Sequence, residues 1–332
     1  MIERMSVAQP MGELVKERSM GALGVETTDR EIRRVDLSNF ELRRSEITEQ
    51  LWDAAVEVGF FQIVHHGIDL GTVSDAFGWS ERFFALPDHV KAAGALRTGV
   101  NAGWESRSQS RPSVRTPDQK ESYQITLPSM DGLWPDPAVL PGFREAMTAF
   151  ETACHQVAMR VLSCFADKLG FERTFFDHAH DPSSASYQST LRLLHYYAVD
   201  PAGPPGLWRA GAHTDFDCLT LLFQRNGQDG LQVCPGREAD GQVWTPIEAS
   251  DDAITCNIGD MLMRWSDDQL PSNFHRVKSP GPGDPHGDRY SMAFFAQANR
   301  DVVIQGPAGL HPPISAADYL AQRVDANYRA AR

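Results

Sequence analysis

From Leu191 onward the chain breaks into short apolar or alternating runs, and this pattern narrows the possible folds more than any other feature. The runs are Leu191 to Val199, Leu219 to Gln224, Leu231 to Cys234, Gln242 to Ile247, Ala253 to Ile258, Met261 to Trp265, Asn273 to Lys278 and Arg289 to Gln297. Gly, Pro, Asn and Asp separate them, residues that favour turns over regular structure. About eight short strands punctuated in this way predict a two-sheet sandwich or jelly roll. Helix is expected to return only at Ser315 to Ala330.

The first half has a different texture. Residues 1–30 mix charges with small residues and offer at most a short amphipathic helix around Gly12 to Arg18; a tail is expected. Ile32 to Leu37 predicts a strand, and Ser45-Glu46-Ile47-Thr48 an N-cap for a helix carrying Leu51, Ala54, Ala55 and Val58 on one face. Gly59 ends that helix, and Phe60 to Ile68 reads as a strand and glycine turn. A second helix near Val73 to Leu86 stops before Pro87. Residues 97–120 are polar and loop-like; their arginines suit a solvated loop, or a cationic cover for an acidic substrate. Lys120 to Ile125 predicts another strand. A long helix from Pro141 to Leu169 carries Phe143, Met147, Phe150, Cys154, Val157, Val161 and Phe165 at spacings of three and four, with Gly170 after it. The Ser-rich stretch Pro182 to Ser189 then marks a boundary.

At 332 residues with 42% hydrophobic content, the chain can bury a substantial core. Its net charge of -13 repels phosphate backbones and argues against a nucleic-acid partner. No apolar run is long enough to span a membrane, and the N-terminus lacks the apolar stretch of a secretory signal. The five cysteines are odd in number and have no C-x-x-C spacing, so reduced thiols and a cytoplasmic location are expected.

The chemistry is carried by a handful of positions. In Gly211-Ala212-His213-Thr214-Asp215, an extended backbone puts His213 and Asp215 on one face. A jelly roll brings distant strands together at one end, which makes His275, 60 residues beyond Asp215, the candidate third ligand. Two histidines and one carboxylate on one face leave the opposite positions open, a facial triad suited to non-haem Fe(II); a structural zinc site would close its shell. Fourteen residues on, Arg289 and Ser291 share a strand face. A guanidinium beside a hydroxyl is a receptor for a carboxylate, here the distal carboxylate of a 2-oxo acid chelated to the metal.

With these pieces in place the chain resembles the Fe(II)/2-oxoglutarate-dependent oxygenases, in the branch of isopenicillin N synthase and the plant flavonoid and gibberellin oxygenases. The resemblance runs through Gly59 to Ile68, Phe83 to Pro87, Leu191 to Tyr196, His213-Thr214-Asp215, Leu219 to Leu222, Gly230 to Val233, Asn257 to Asp260, His275-Arg276-Val277 and Arg289-Tyr290-Ser291. These pieces occur in family order across roughly residues 33 to 300. The resemblance implies an α+β fold with a double-stranded β-helix (jelly-roll) core, flanking helices and an N-terminal α/β region. Its divisions would be an N-terminal extension at 1–30, the α/β region at 31–185, the catalytic core at 186–300 and a C-terminal helical segment at 301–332. It makes His213, Asp215 and His275 the iron ligands, and Arg289 and Ser291 the anchor for 2-oxoglutarate, with help from Tyr196. The implied activity is that of a dioxygenase using Fe(II), 2-oxoglutarate and O2 to hydroxylate, desaturate or cyclise a small molecule of secondary-metabolite type. Two departures stand out. Leu194 occupies a position where many plant members have asparagine, and Asp217-Cys218 replaces the usual glycine at that bend.

Two other functions fit parts of the pattern: an oxidase like isopenicillin N synthase that does without 2-oxoglutarate, and a non-catalytic jelly-roll binding protein. Gly281-x-Gly283 superficially looks like a dinucleotide loop, but its prolines and the lack of a following helix predict a long hairpin between His275 and Arg289. The absence of H-E-x-x-H and G-x-S-x-G removes the common zinc-peptidase and hydrolase readings. Substrate identity and oligomeric state are not encoded in any readable motif.

Overall fold

The computed structural model describes residues 20, 24–27, 29–97, 99–109, 117–200, 208–281 and 284–330. In chain order the elements are β1 (Val25–Glu26), β2 (Arg34–Asp36), α1 (Phe40–Glu57), β3 (Phe60–Val64), α2 (Leu70–Phe84), α3 (Asp88–Lys91), β4 (Gly103–Ser106) and β5 (Lys120–Ile125). They continue with α4 (Phe143–Leu169), α5 (Phe175–Ala179), β6 (Thr190–Tyr196), β7 (Ala210–His213), β8 (Leu219–Phe223), β9 (Leu231–Cys234), β10 (Val243–Pro246) and β11 (Ala253–Ile258). The chain ends with α6 (Asp260–Trp265), β12 (Phe274–Val277), β13 (Arg289–Ala296), β14 (Val303–Ile304), β15 (Ile314–Ser315) and α7 (Ala316–Ala330).

Two sheets form the jelly roll. The larger has the order β2-β3-β11-β8-β13-β6-β5-β4, and the smaller β1-β10-β9-β12-β7. Period-two alternation assigns the larger sheet's faces. Leu191, Leu193, Leu221, Phe223, Met292 and Phe294 point to a core shared with the helices, where α4 lays down its Phe143, Met147, Phe150 and Phe165 stripe. The opposite face looks into the barrel, where Leu194, Tyr196 and Ala293 meet Ala210, Leu231, Val233 and Val277 from the smaller sheet. Each sheet thus buries its inner face against the other, and that interior houses the site. The N-terminal half takes part directly. β2 and β3 are parallel neighbours joined through α1, and β4 and β5 extend the same sheet beyond β6.

Several expectations need correction. Met261 to Trp265 is helix, not strand: Met261, Leu262 and Trp265 fall on one helical face, and so short an apolar run carries no decisive period. The helix expected to open near Ser45 begins at Phe40. Asn39, at φ 51°, caps it through its carbonyl, which accepts the Leu42 and Arg43 amides at 3.0 and 3.1 Å. The second helix begins at Leu70 and ends at Phe84, its start fixed by the Asp69 carboxylate accepting from the Thr72 amide at 3.0 Å. The 97–120 segment contains β4, paired along its length with β5. Arg111 and Arg115 of the expected cationic cover lie outside the described residues, as does the Gly12 to Arg18 helix. No hairpin joins His275 to Arg289, because β12 and β13 belong to different sheets. At the N-terminal side, β1 adds a parallel edge strand to the smaller sheet through β10.

Candidate active site

His213 ends β7 and His275 sits on β12, directly opposite in antiparallel register, with ring centroids 4.3 Å apart. Asp215 follows β7 by two residues. Its Oδ1 lies 3.9 Å from His213 Nε2 and its Oδ2 3.7 Å from His275 Nε2. One ligand atom from each of the three falls within 4.8 Å of the others, and among the described residues this is the one such group of His, Cys, Asp and Glu. His213 Nδ1 is 2.7 Å from the Gly211 carbonyl, which can only accept, so Nδ1 carries the hydrogen and Nε2 the lone pair that faces the cluster.

Close packing around this triad explains two glycines. Gly59 has φ 74°, and a Cβ there would meet Asn273 Nδ2 at 2.4 Å. Asn273 donates to the Val58 carbonyl at 2.6 Å, while its own carbonyl lies 3.4 Å from His275 Nδ1. A Cβ on Gly259 would sit 2.2 Å from the Asp217 carbonyl, in the turn that carries the Asp260 amide to the Asp215 carbonyl at 2.8 Å.

Several residues that support the triad carried no assigned role in the sequence. Asp215 Oδ2 accepts from the Thr220 hydroxyl at 2.7 Å and from Asn257 Nδ2 at 2.9 Å. Asp217 is fully buried, 3.0 Å from the same hydroxyl; burial, then the Asp215 charge, raise its carboxyl well above the ordinary range. Thr220 has one hydrogen to give, so a protonated Asp217 can donate to the Thr220 oxygen while Thr220 donates to Asp215. The Asp217 that departs from the usual glycine thus joins the support of Asp215. Thr214 donates to buried Asp260 at 3.1 Å, and Arg323 of α7 pairs with the same carboxylate, tying the C-terminal helix to the ligand segment. Asn257 and Asp260 were visible in the N-x-G-D run without a role, and Arg323 had no local signal.

Arg289, Ser291 and Tyr196 converge further along the larger sheet's inner face. Arg289 pairs with Tyr196 in register, its guanidinium carbon 4.7 Å from the tyrosine ring centroid. Its Nε donates to the Gln228 carbonyl at 2.8 Å, but Nη1, Nη2 and the Ser291 hydroxyl are buried without a hydrogen-bond partner. Burial lowers the Arg289 pKa from its ordinary value, against the opposing influence of Tyr196. Unpaired donors around a buried cation are what a bound carboxylate would satisfy, and the two-histidine, one-carboxylate set suits Fe(II). A cavity of about 290 Å³ opens beside the Gln228 segment, lined by Arg209, Leu231, Ile247 and Lys278 and not by the histidines. His195 faces the helices instead, 2.8 Å from Glu121 and stacked on Tyr290.

The chain matches the family described as the 2OG-Fe(II) oxygenase superfamily over residues 188–298, and the one described as the non-haem dioxygenase in morphine synthesis N-terminal over residues 32–137. The proline hydroxylase buaE of Petromyces alliaceus is 33% identical over 326 residues, covering 91% of this chain and 98% of that protein. The 2-oxoglutarate-Fe(II) type oxidoreductase hxnY of Emericella nidulans is 32% identical over 305 residues, 83% of each chain. A full-length Neurospora crassa protein crystallised with alpha-KG and thymine superposes with a TM-score of 0.79 at 29% identity, over 90% of this chain and 97% of that one. The chain belongs to the Fe(II)/2-oxoglutarate-dependent oxygenase superfamily. It is a dioxygenase whose cofactor is Fe(II) and whose co-substrates are 2-oxoglutarate and O2. The 2-oxoglutarate-free oxidase and the non-catalytic binding protein give way to this reading. No helix among the described residues is long and apolar enough to cross a membrane.

Proposed function

We propose that His213, Asp215 and His275 hold the Fe(II), that Arg289, Ser291 and Tyr196 anchor the distal carboxylate of 2-oxoglutarate, and that the enzyme oxidises a C–H bond of a small organic molecule of secondary-metabolite type. The observation that carries the assignment is the pairing, inside one barrel, of an open-sided ligand triad with a buried arginine whose two terminal nitrogens lack partners. When bound, Fe(II) with 2-oxoglutarate supplies O2 activation and C–H oxidation, with succinate and CO2 released. The chain's own residues do the rest. Arg289 and Ser291 fix the co-substrate's far end. Gly211 sets the tautomer of His213, Thr220 and Asn257 aim Asp215, and the apolar interior excludes water. One relative is named for proline and one solved neighbour holds thymine, which supports a substrate of that size. The division into 1–30, 31–185, 186–300 and 301–332 and a cytoplasmic location belong to the same proposal; five buried cysteines with no disulfide among them fit a reducing compartment.

The test is an anaerobic titration of the Fe(II)-loaded protein with 2-oxoglutarate, followed by succinate release against a panel of metabolites. Tight 2-oxoglutarate binding that disappears in Arg289→Met is the expected result. An Fe(II)-loaded protein that fails to bind 2-oxoglutarate would sink the assignment.

A further inference from the structure

The inner face of the larger sheet carries further polar residues past the anchor. On the face that carries Arg289 and Ser291, β6 presents Arg192, β5 presents Ser122 and Gln124, and β4 presents Glu105. Register lines them up: Ala293 opposite Arg192, Arg192 opposite Gln124, and Ser122 opposite Glu105. Phe295, two residues beyond Ala293 on that face, is opposite Thr220, whose hydroxyl holds Asp215. The Arg192 guanidinium lies 4.9 Å from the centroid of the Phe295 ring. With neighbouring strands about 4.8 Å apart, Arg192 is roughly 10 Å across the sheet from Thr220 and Gln124 roughly 15 Å. The Arg192 side chain shortens that span, since its guanidinium lies over Phe295, the residue opposite Thr220.

These groups are arranged with one position left over. Gln124 is fully buried; its Nε2 donates to Glu105 Oε1 at 2.6 Å and to the Ser122 hydroxyl at 3.2 Å. That fixes which way the amide faces, and its Oε1 has no hydrogen-bond partner. Glu105 also accepts from Ser122 at 3.1 Å and Gln109 at 2.5 Å. Burial pushes its carboxyl up, but the Arg192 charge, the Ser108 bond, the Lys120 charge and the Gln124 bond hold it below the ordinary value, so a negative charge already stands in the field of Arg192. Arg192 itself donates to Asn101 Oδ1 at 3.3 Å.

We infer that Arg192 and Gln124 read the substrate, and that the group they read is neutral with adjacent carbonyl and N–H functions, as in a lactam, imide or ureide. The inference rests on the oxygenase reading and adds the substrate's chemical class to it. A lactam presents its carbonyl to the guanidinium donors and its N–H to the orphaned Gln124 oxygen. A carboxylate would meet the lone pairs of that oxygen and a guanidinium already neutralised by Glu105. A site built to receive an N–H discriminates against an analogue without one, because the buried acceptor is then left unpaired.

The experiment is calorimetry on the full chain, loaded anaerobically with Fe(II) and 2-oxoglutarate, using 2-piperidone, cyclohexanone and cyclohexanecarboxylate as probes. 2-Piperidone is expected to bind at least about tenfold tighter than either of the others. Gln124→Met and Arg192→Met should each erase that preference while 2-oxoglutarate affinity stays unchanged. Glu105→Gln should do the reverse of damage: by freeing the Arg192 charge it should raise the affinity for cyclohexanecarboxylate at least about fivefold, a gain that misfolding cannot produce. The inference is overturned if the carboxylate binds as tightly as the lactam in the unaltered protein, if no probe binds, or if the preference survives both methionine substitutions. Failure of the unaltered protein to bind 2-oxoglutarate in the same cell would instead break the oxygenase assignment.

Discussion

Asp215 and Arg289 are charges of opposite sign inside one barrel, and their surroundings contrast. The Asp215 carboxylate is held by Thr220 and Asn257 and backed by a protonatable Asp217. Arg289 is tethered by a single bond from Nε to the Gln228 carbonyl, and its two outer nitrogens have no hydrogen-bond partner. The metal end is organised before any ligand arrives, so binding there needs little rearrangement. The anchor end is left expensive in the empty protein, and a bound carboxylate would recover what its burial costs. One end of the interior is arranged for geometry, the other for affinity.

The largest effect is expected from removing a ligand at the organised end. His275→Ala or Asp215→Ala should take succinate release to the uncatalysed background and strip Fe(II) from the dialysed protein, read by metal analysis. Iron retained at full stoichiometry by both variants would refute the ligand assignment. Next comes the anchor. Arg289→Met should weaken 2-oxoglutarate binding by about 2–5 kcal/mol, the usual loss when one partner of a buried charge pair is removed. The same substitution should raise the melting temperature of the ligand-free protein, because it deletes a buried cation with unsatisfied donors. A fall in melting temperature would mean that Arg289 is satisfied in the empty state and that the contrast between the two ends is wrong.

Asn257→Leu sharpens the comparison from the metal side. Removing one of the two donors to Asp215 Oδ2 should cost roughly 10- to 100-fold in metal affinity, the range for residues that orient a ligand. It should leave 2-oxoglutarate affinity in the cobalt-substituted protein nearly unchanged. Equal losses in both affinities would indicate that the two ends are not independent.

How far these regions could be read from the sequence differs in the same way. His213, His275, Arg289 and Ser291 lie on strands and Asp215 two residues past β7, so His213-x-Asp215, His275 and Arg289-x-Ser291 are visible as spacings. The supports are not. Asn257 of β11 reaches Asp215 only because β11 pairs with β8 in one register, and Arg323 reaches Asp260 across 63 residues of chain. Such contacts arise from tertiary placement, which a local pattern does not encode. The misread α6 shows the complementary limit, since five apolar-rich residues fit a helix face as well as a strand. The placement of β12 and β13 in different sheets was hidden for a related reason: two strands close in sequence need not pair when two sheets compete for them.

The smallest effect on the site is expected from a buried ionisable group placed behind the sheet. Glu151 lies on α4, buried in the helix-side core, where the Tyr187 hydroxyl donates to it at 2.6 Å. Burial raises its pKa to about 7, with the Tyr187 bond pulling the other way. An acid with its folded pKa raised keeps its proton in the native protein while the unfolded chain ionises. Stability is therefore lost as pH rises from the ordinary glutamate range towards about 7, and the penalty levels off above that. The loss is on the order of 3 kcal/mol from a shift of this size. Glu151→Gln should flatten this slope in urea unfolding midpoints compared at pH 5 and pH 7.5, and should raise the midpoint at the higher pH. Neither 2-oxoglutarate affinity nor metal affinity should move, because the sheet separates Glu151 from both ends of the barrel. An unchanged slope would show that Glu151 ionises in the folded core, and a shifted 2-oxoglutarate affinity would show that the helix side and the barrel interior are coupled through β13.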